Sequence, residues 1–232
     1  MREHAGATMT PRSAGVSPAT TQDAGEAPGL RERWAGLVLA GGRSTRFGGE
    51  KAIALLHGRP LMGWCVDALG GVCAEVVINA RRSSEAEALA HAVELEVIYD
   101  DPAHPAGPLA GVAAGFKWAR ARGFDGLVTL PCDTPLVGAA ELNQLIAALK
   151  EGGRPVRPPA AYAVAAGRAQ GLCAAWWIDL ARPLNARLAG GEHPAVHRWL
   201  DEIGATGAVF ADDAPFRNIN TRADLARLAA PF

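Results

Sequence analysis

The stretch LAGGRSTRFGGEK at Leu39–Lys51 follows without a break on the apolar run Gly36–Leu39, and this junction decides how the chain is read. A short apolar run ahead of glycines is expected to be a buried strand. A glycine-rich turn at the carboxyl end of a strand is where an open α/β sheet places its ligands. Gly41, Gly42, Gly48 and Gly49 allow successive backbone N–H groups to converge on phosphate oxygens, while Arg43, Arg46 and Lys51 add positive charge. Alone, the glycines equally suit a turn whose basic residues face water; two arginines and a lysine in one turn favour a phosphate cradle. Spacing disfavours the competing motifs. Lys51 follows Glu50, so there is no G-x-x-x-x-G-K-[ST]; no G-x-G-x-x-G occurs here; and Ser44 lies in GRSTR, which lacks the second glycine of a nucleophile elbow. A P-loop hydrolase, a dinucleotide dehydrogenase and a serine hydrolase are therefore poor readings.

Outward from this turn, short apolar runs alternate with longer helix-like stretches, the pattern of a parallel sheet with crossover helices. Strands are expected at Gly36–Leu39, Glu75–Asn79, Glu94–Tyr99 and Gly126–Leu130, and helices at Pro60–Leu69, Ser84–Ala92, Pro108–Ala121 and Ala139–Lys150. The first half thus reads as an α/β, doubly wound arrangement. After Gly152 a Pro-rich connection, Arg154–Pro159, leads to two short apolar runs, Ala160–Val164 and Leu172–Ala175, expected to form a hairpin or the edge of a mixed sheet. Helices at Ile178–Leu188 and Ala195–Ile203, a strand at Gly207–Phe210 and a last helix at Arg222–Leu228 complete the map. Residues 1–33 carry almost no large apolar side chains, so they are expected to be a disordered extension ahead of a single domain, 34–232.

Composition narrows the functional class. The 232 residues are 49% hydrophobic, enough for a substantial core, and 23 basic against 24 acidic residues leave a net charge of −1. No global field draws this chain to nucleic acid or an anionic membrane, so any anion must be bound locally. Cys65, Cys73, Cys132 and Cys173 show no C-x-x-C spacing and read as reduced, buried small hydrophobes. With no apolar run long enough to span a bilayer and no secretory h-region, the expectation is a soluble, cytoplasmic protein.

Other polar residues stand at the ends of the expected strands. Asn79, in VVINARR, offers a donor and an acceptor at the carboxyl edge of the second strand, although an isolated Asn there often only ends a strand. Asp100 could accept from a base edge or a ribose, whereas Asp101 reads as a turn carboxylate or local cap. GPLAG at Gly107–Gly111 opens a helix and presents free amides. In LVTLPCDTP, Asp133 follows a buried run; it either caps a turn or acts as a single carboxylate for magnesium, with waters and phosphates completing the octahedron. In FRNINTRADL, Thr221 or Asn220 suits an N-cap and Asp224 the first turn, which leaves the remaining polar residues of the motif unexplained by capping. His193 and His197 are four apart, but Pro194 between them and the lack of a third ligand favour a surface or helix-end role.

At these residues the chain resembles the molybdenum cofactor guanylyltransferase family. Leu39, Ala40, Gly41, Gly42, Ser44, Arg46, Gly48 and the pair Glu50-Lys51 fit its opening signature, with Phe47 where Met is usual and Glu50 where Asp is usual. Asn79 falls in the family's V-N-A-x-R pattern, GPLAG in its base pocket and Asp133 at its magnesium ligand. The N-I-N-T motif of Asn218–Thr221 resembles its C-terminal segment near metal and acceptor, with Arg222 for the usual Pro and Asp224 for the common Glu. GRAQGLCAAW at Gly167–Trp176 is similar to the acceptor-side strand, with Gly171 where Pro is common.

The resemblance covers roughly residues 35–229. It implies a Rossmann-like, mostly parallel sheet of the nucleotide-diphospho-sugar transferase type. It also implies a reaction in which the terminal phosphate of molybdopterin attacks the α-phosphorus of GTP and expels pyrophosphate. Leu39, Ala40, Gly41, Gly42, Lys51, Asn79, Asp100 and Asp133 would bind the nucleotide; Asp133 would hold Mg2+; Lys51, assisted by Arg46 and Arg43, would stabilise pyrophosphate; and Asn218 and Asn220 would face metal or acceptor. GTP and molybdopterin are the implied partners, with molybdoenzymes or their chaperones as recipients of the product. A cytidylyltransferase of the same cofactor usually shows L-A-A-G and D-Q-P, whereas this chain has LAGG and CDTP. A sugar-phosphate nucleotidyltransferase usually has a longer chain. A non-catalytic GTP-binding accessory protein is the remaining alternative, opposed by the presence of both Lys51 and Asp133.

Overall fold

The apolar run before the glycine-rich turn forms β1 (Trp34–Leu39), whose Ala35, Leu37 and Val38 are completely buried because helices cover both of its faces. The computed structural model describes residues 32–42, 46–151 and 158–229. Most of the extension expected at 1–33, the turn residues Arg43 and Ser44, and all but the last two residues of the Pro-rich connection lie outside them.

The other strands are β2 (Leu55–Leu56), β3 (Arg59–Pro60), β4 (Glu75–Asn79), β5 (Val97–Ile98), β6 (Gly126–Pro131), β7 (Ala160–Ala165), β8 (Arg168–Trp177) and β9 (Thr206–Phe210). β2 and β3 make a small separate hairpin, and the remaining seven form one sheet in the order β5-β4-β1-β6-β8-β7-β9. Only β8 runs against its neighbours, β6 and β7. β1 pairs in parallel with β4 on one side and β6 on the other, so strand order reverses about β1 and a crevice opens at the carboxyl ends of these three strands.

The helices are α1 (Leu61–Gly70), α2 (Glu85–Ala92), α3 (Pro108–Ala121), α4 (Ala139–Lys150), α5 (Ala181–Ala189), α6 (Val196–Glu202) and α7 (Arg222–Ala229). Side chains of α1, α2 and α4, among them Met62, Ala86 and Leu145, share one core with Val38 and Ile78. Those of α3, α5 and α6, such as Phe116, Leu184 and Trp199, share the other with Leu37 and Val77. Alternate residues of β1 and β4 thus feed opposite cores, the period-two alternation of a strand.

Two expectations are corrected. The strand expected at Glu94–Tyr99 enters the sheet only at Val97–Ile98, because Glu94 takes a left-handed conformation (φ 57°) to turn the chain out of α2. The two runs expected as a hairpin or a mixed-sheet edge do form a hairpin, β7 pairing antiparallel with β8, but they are not the edge: β8, ten residues long, sits between β6 and β7, and β9 is the outer strand. Its alanines and Gly171 have weak strand propensity, and burial of Ala174, Ala175 and Trp176 on both faces hides any alternation. Buried polar groups tie β8 in place: Trp176 Nε1 donates to Thr129 Oγ1 (3.0 Å), whose hydroxyl donates to the Leu172 carbonyl (2.7 Å).

Candidate active site

Beyond β1 the ladder continues for one residue on each side. Ala40 N–H donates to the Asn79 carbonyl (2.9 Å) and Cys132 N–H to the Leu39 carbonyl (3.1 Å), so the ends of β4 and β6 are drawn in beside the glycine-rich turn. Lys51 opens a one-turn 3-10 helix, Lys51–Ile53, and its chain is buried. Its Nζ lies 3.0 Å from Asp133 Oδ2 and 3.3 Å from Asn220 Oδ1. The pair is partly sheltered, with side chains 11% and 25% exposed. Ile219 N–H donates to the Asp133 carbonyl (2.8 Å), which pins the C-terminal motif against the end of β6. Beneath, Phe47 of the glycine-rich turn and Ile219 belong to one small apolar cluster with Leu56 and Leu61. Three segments far apart in sequence therefore meet at the switch point of the sheet.

The acidic residue beside the lysine has a different task. Glu50 accepts from Arg81 Nη2 (3.1 Å) and from the Ala86 N–H (3.1 Å) in the first turn of α2, where Ser84 also caps by accepting from Glu87 N–H (3.1 Å). A carboxylate at a helix N-terminus is favoured by the dipole and by the free amides. Glu50 thus anchors the turn while Lys51 points the other way. Arg46 is exposed, whereas the Lys51 and Asp133 side chains are sheltered; Arg43 lies outside the described residues.

On the other flank Asn79, buried at the end of β4, donates from Nδ2 to Asp100 Oδ1 (2.9 Å). Its Oδ1 faces α3: a Cβ on Gly111 would come within 2.5 Å of that atom and 3.0 Å of Leu39 Cδ2. Glycine at position 111 is what lets α3 close down on the Asn79 carboxamide. Asp101 accepts from Ala103 N–H (3.0 Å), the local turn expected of it.

The opposite flank is open. A cavity of about 280 Å³ is lined by Asp133, Gln170, Gly171, Cys173, Val196 and Asn218. It adjoins a cleft of about 980 Å³ that shares Gln170 and Asn218 and adds Arg168, Arg217, Arg227 and Asn220. Thr221 is the N-cap of α7, accepting from Asp224 N–H (3.1 Å) while Asp224 accepts from the Thr221 hydroxyl (2.9 Å) and backbone (2.8 Å). Those bonds, the hydroxyl first, hold the Asp224 carboxyl below its ordinary range. With Thr221 as cap, the Asn220 side chain is available to Lys51. Arg222, in place of the family's Pro, lies over the ring of Phe47, in place of its Met (5.6 Å to the centroid), so two departures from the family pattern touch each other.

The sequence reading missed Glu50's anchoring role, and it marked GRAQG as part of the acceptor-side strand without singling out Gln170 or Arg168, which line the cleft. The polar positions of GRAQG carry no spacing signal of their own. Next to Asp133, the Cys132 thiol is pushed up to about 12 by burial and then by the Asp133 charge, and burial lifts Cys173 to about 12. Both stay protonated and serve as packing rather than as nucleophiles.

Among the described residues no group of three or more His, Cys, Asp or Glu is placed to hold a metal ion. The oxygen donors at the crevice are the Asp133 carboxylate and the Asn218 and Asn220 carboxamides, hard ligands that fit a small divalent cation when phosphates and water supply the rest. No helix among these residues is long and apolar enough to cross a membrane.

Residues 36–220 match the family described as MobA-like NTP transferase domain. The chain is 40% identical over 193 residues to a molybdenum cofactor guanylyltransferase of Cereibacter sphaeroides, covering 83% of this chain and 93% of that one. It is 36% identical over 191 residues to the protein of that name from Acidiphilium cryptum (82% and 90% covered). The molybdopterin-guanine dinucleotide biosynthesis protein A of Archaeoglobus fulgidus superposes with a TM-score of 0.66 at 25% identity, over 84% of this chain and 96% of that one. CMP:2-keto-3-deoxy-manno-octonic acid synthetase shares the fold, with a TM-score of 0.63 at 12% identity over 85% and 97%.

Proposed function

The chain belongs to the MobA-like NTP transferase domain family and is a nucleotidyltransferase, and from that premise we propose that it transfers GMP from GTP to the terminal phosphate of molybdopterin. A phosphate oxygen of the acceptor forms a bond to the α-phosphorus, the bond from that phosphorus to the β-phosphate bridging oxygen breaks, and pyrophosphate leaves. The curated relatives described above are named for guanylyl transfer, which favours GTP over CTP.

The observation that carries this reading is the meeting of Lys51 with Asp133 and Asn220 at the switch point. A buried cation held 3.0 Å from one carboxylate is poised to exchange that partner for phosphate oxygens. Lys51 neutralises charge on the departing pyrophosphate, with the amides of Gly41 and Gly42 alongside, while Leu39 and Ala40 line the nucleotide at the end of β1. Asn79 and Asp100 hold the base end, and Asn218 and Asn220 face the acceptor. Arg46 is assigned a supporting contact to the phosphates once nucleotide is bound. No covalent intermediate is needed, so orientation and charge neutralisation supply the rate. Magnesium, bound through Asp133 and the nucleotide phosphates, would offset charge on the triphosphate and align it. Residues 34–232 are assigned as a single nucleotidyltransferase domain, and the reaction to the cytoplasm.

Pyrophosphate release with GTP, magnesium and molybdopterin, compared with CTP and with Asp133→Asn, tests this. Release from wild type with GTP, little with CTP and little from the variant is expected. Tight GTP binding with no release above the variant would instead make this a non-catalytic GTP-binding protein.

A further inference from the structure

His193 and His197 stand outside the site as drawn so far. α6 begins only at Val196, so the two imidazoles do not share a helical face. His193 reaches across the molecule instead: its Nε2 accepts the Leu109 N–H at 3.2 Å, from 84 residues away. The first turn of α3 depends on such help. Gly107, at its N-cap, has no side chain to offer and Pro108 has no N–H, so the Leu109 amide lacks the usual local partner. The imidazole also occupies the place that a Cβ on Gly107 would need. This same turn carries Gly111 against Asn79 Oδ1 and Leu39, and Asn79 is bound to Asp100.

We propose that His193 is a positioning residue for the base end of the nucleotide pocket: by accepting the Leu109 N–H and packing on Gly107, it sets the first turn of α3 and through Gly111 the Asn79 carboxamide. The inference rests on the reading of Asn79 and Asp100 as nucleotide contacts. His193 must be unprotonated at Nε2 to serve, and a glutamine offers an acceptor at similar reach. Its contacts run through Leu109, Gly107 and Gly111 to the Asn79 carboxamide at the base end, whereas the Lys51 ammonium is held by Asp133 and Asn220.

The experiment compares GTP with inorganic tripolyphosphate, which has the phosphates and no base. His193→Ala should raise KM for GTP about tenfold, the loss of one cap-type hydrogen bond, with kcat changed less than about twofold. Inhibition by tripolyphosphate should be unchanged. His193→Gln should restore the GTP value, and Gly107→Ala, which displaces the ring, should reproduce the alanine variant. Equal weakening of GTP and tripolyphosphate, or a fall in melting temperature that His193→Gln does not repair alongside unrecovered KM, would make His193 a fold cap only and overturn the inference. Asn79→Ala separates this from the underlying reading. If it leaves GTP binding unchanged, the base-end assignment itself falls; if it weakens GTP while His193→Ala does not, only the role of His193 is lost. Should His193→Ala fail to fold, Gly107→Ala read against His193→Gln decides.

Discussion

The two flanks of the crevice are built differently. On the nucleotide flank the buried polar side chains among the described residues are held by others: Asn79 by Asp100, Lys51 by Asp133 and Asn220, with Glu50 behind them held by Arg81 and the start of α2. Glycine 111 lets a helix press against the Asn79 carboxamide. On the acceptor flank, Gln170, Asn218 and exposed arginines, two of them paired with Asp213 and Asp224 at the surface, line an open cleft. A nucleoside triphosphate, one fixed shape, repays a preorganised pocket; a second substrate that must arrive and leave as a larger product suits a looser one. The contrast predicts that substitutions on the first flank damage chemistry or GTP affinity, and that those on the second affect the acceptor alone.

The largest effect is expected at the junction of the flanks. Asp133→Asn removes the carboxylate for metal and for Lys51, and turnover measured by pyrophosphate release should fall about 100- to 1,000-fold, the usual loss of one charge-stabilising group. Turnover within a few-fold of wild type would move the metal elsewhere. Next, Asn79→Ala should raise KM for GTP about tenfold while leaving KM for molybdopterin unchanged, as expected from one buried hydrogen-bonding group. On the acceptor flank, Gln170→Ala should raise KM for molybdopterin about threefold to tenfold with GTP unaffected. If both constants move together, the two flanks act as one rigid site and the comparison fails.

The smallest effect concerns α7, which carries the C-terminal motif. Asp224 is held below its ordinary pKa by the Thr221 hydroxyl and then by backbone amides. Its contribution is therefore present above the ordinary carboxylate range and disappears as pH falls through the depressed value. Asp224→Asn should melt slightly below wild type at neutral pH, and the two melting curves should converge in acid. A gap that persists unchanged in acid would show that the charge of Asp224 is irrelevant to the cap.

The elements around the glycine-rich turn were legible because each carries its own local signal. α3 and α4 run over the residues their apolar spacing indicates, Pro108–Ala121 and Ala139–Lys150, and β4 over Glu75–Asn79. The place of β8 was not legible. Its alanines and doubly buried aromatics show no period, and strand order is set by contacts between residues far apart in sequence. The candidate residues were found singly, some from their types and positions at strand ends and others, Asn218 and Asn220 among them, only through the family resemblance. Their partners were not: Glu50 stands next to Lys51 in sequence yet binds α2, and His193 reads as a surface histidine until α3 is placed beside it.

By itself the sequence determined the glycine-rich turn after a buried strand, the alternation that calls for a parallel sheet, and the residue types at each strand end, because these follow from local backbone preference and periodicity. The tertiary structure alone decided that Lys51, Asp133 and Asn220 share one spot, that Phe47 lies under Arg222, and that His193 closes on Leu109. Such meetings depend on where the sheet reverses and how closely helices settle on it, and no stretch of chain encodes them without the others.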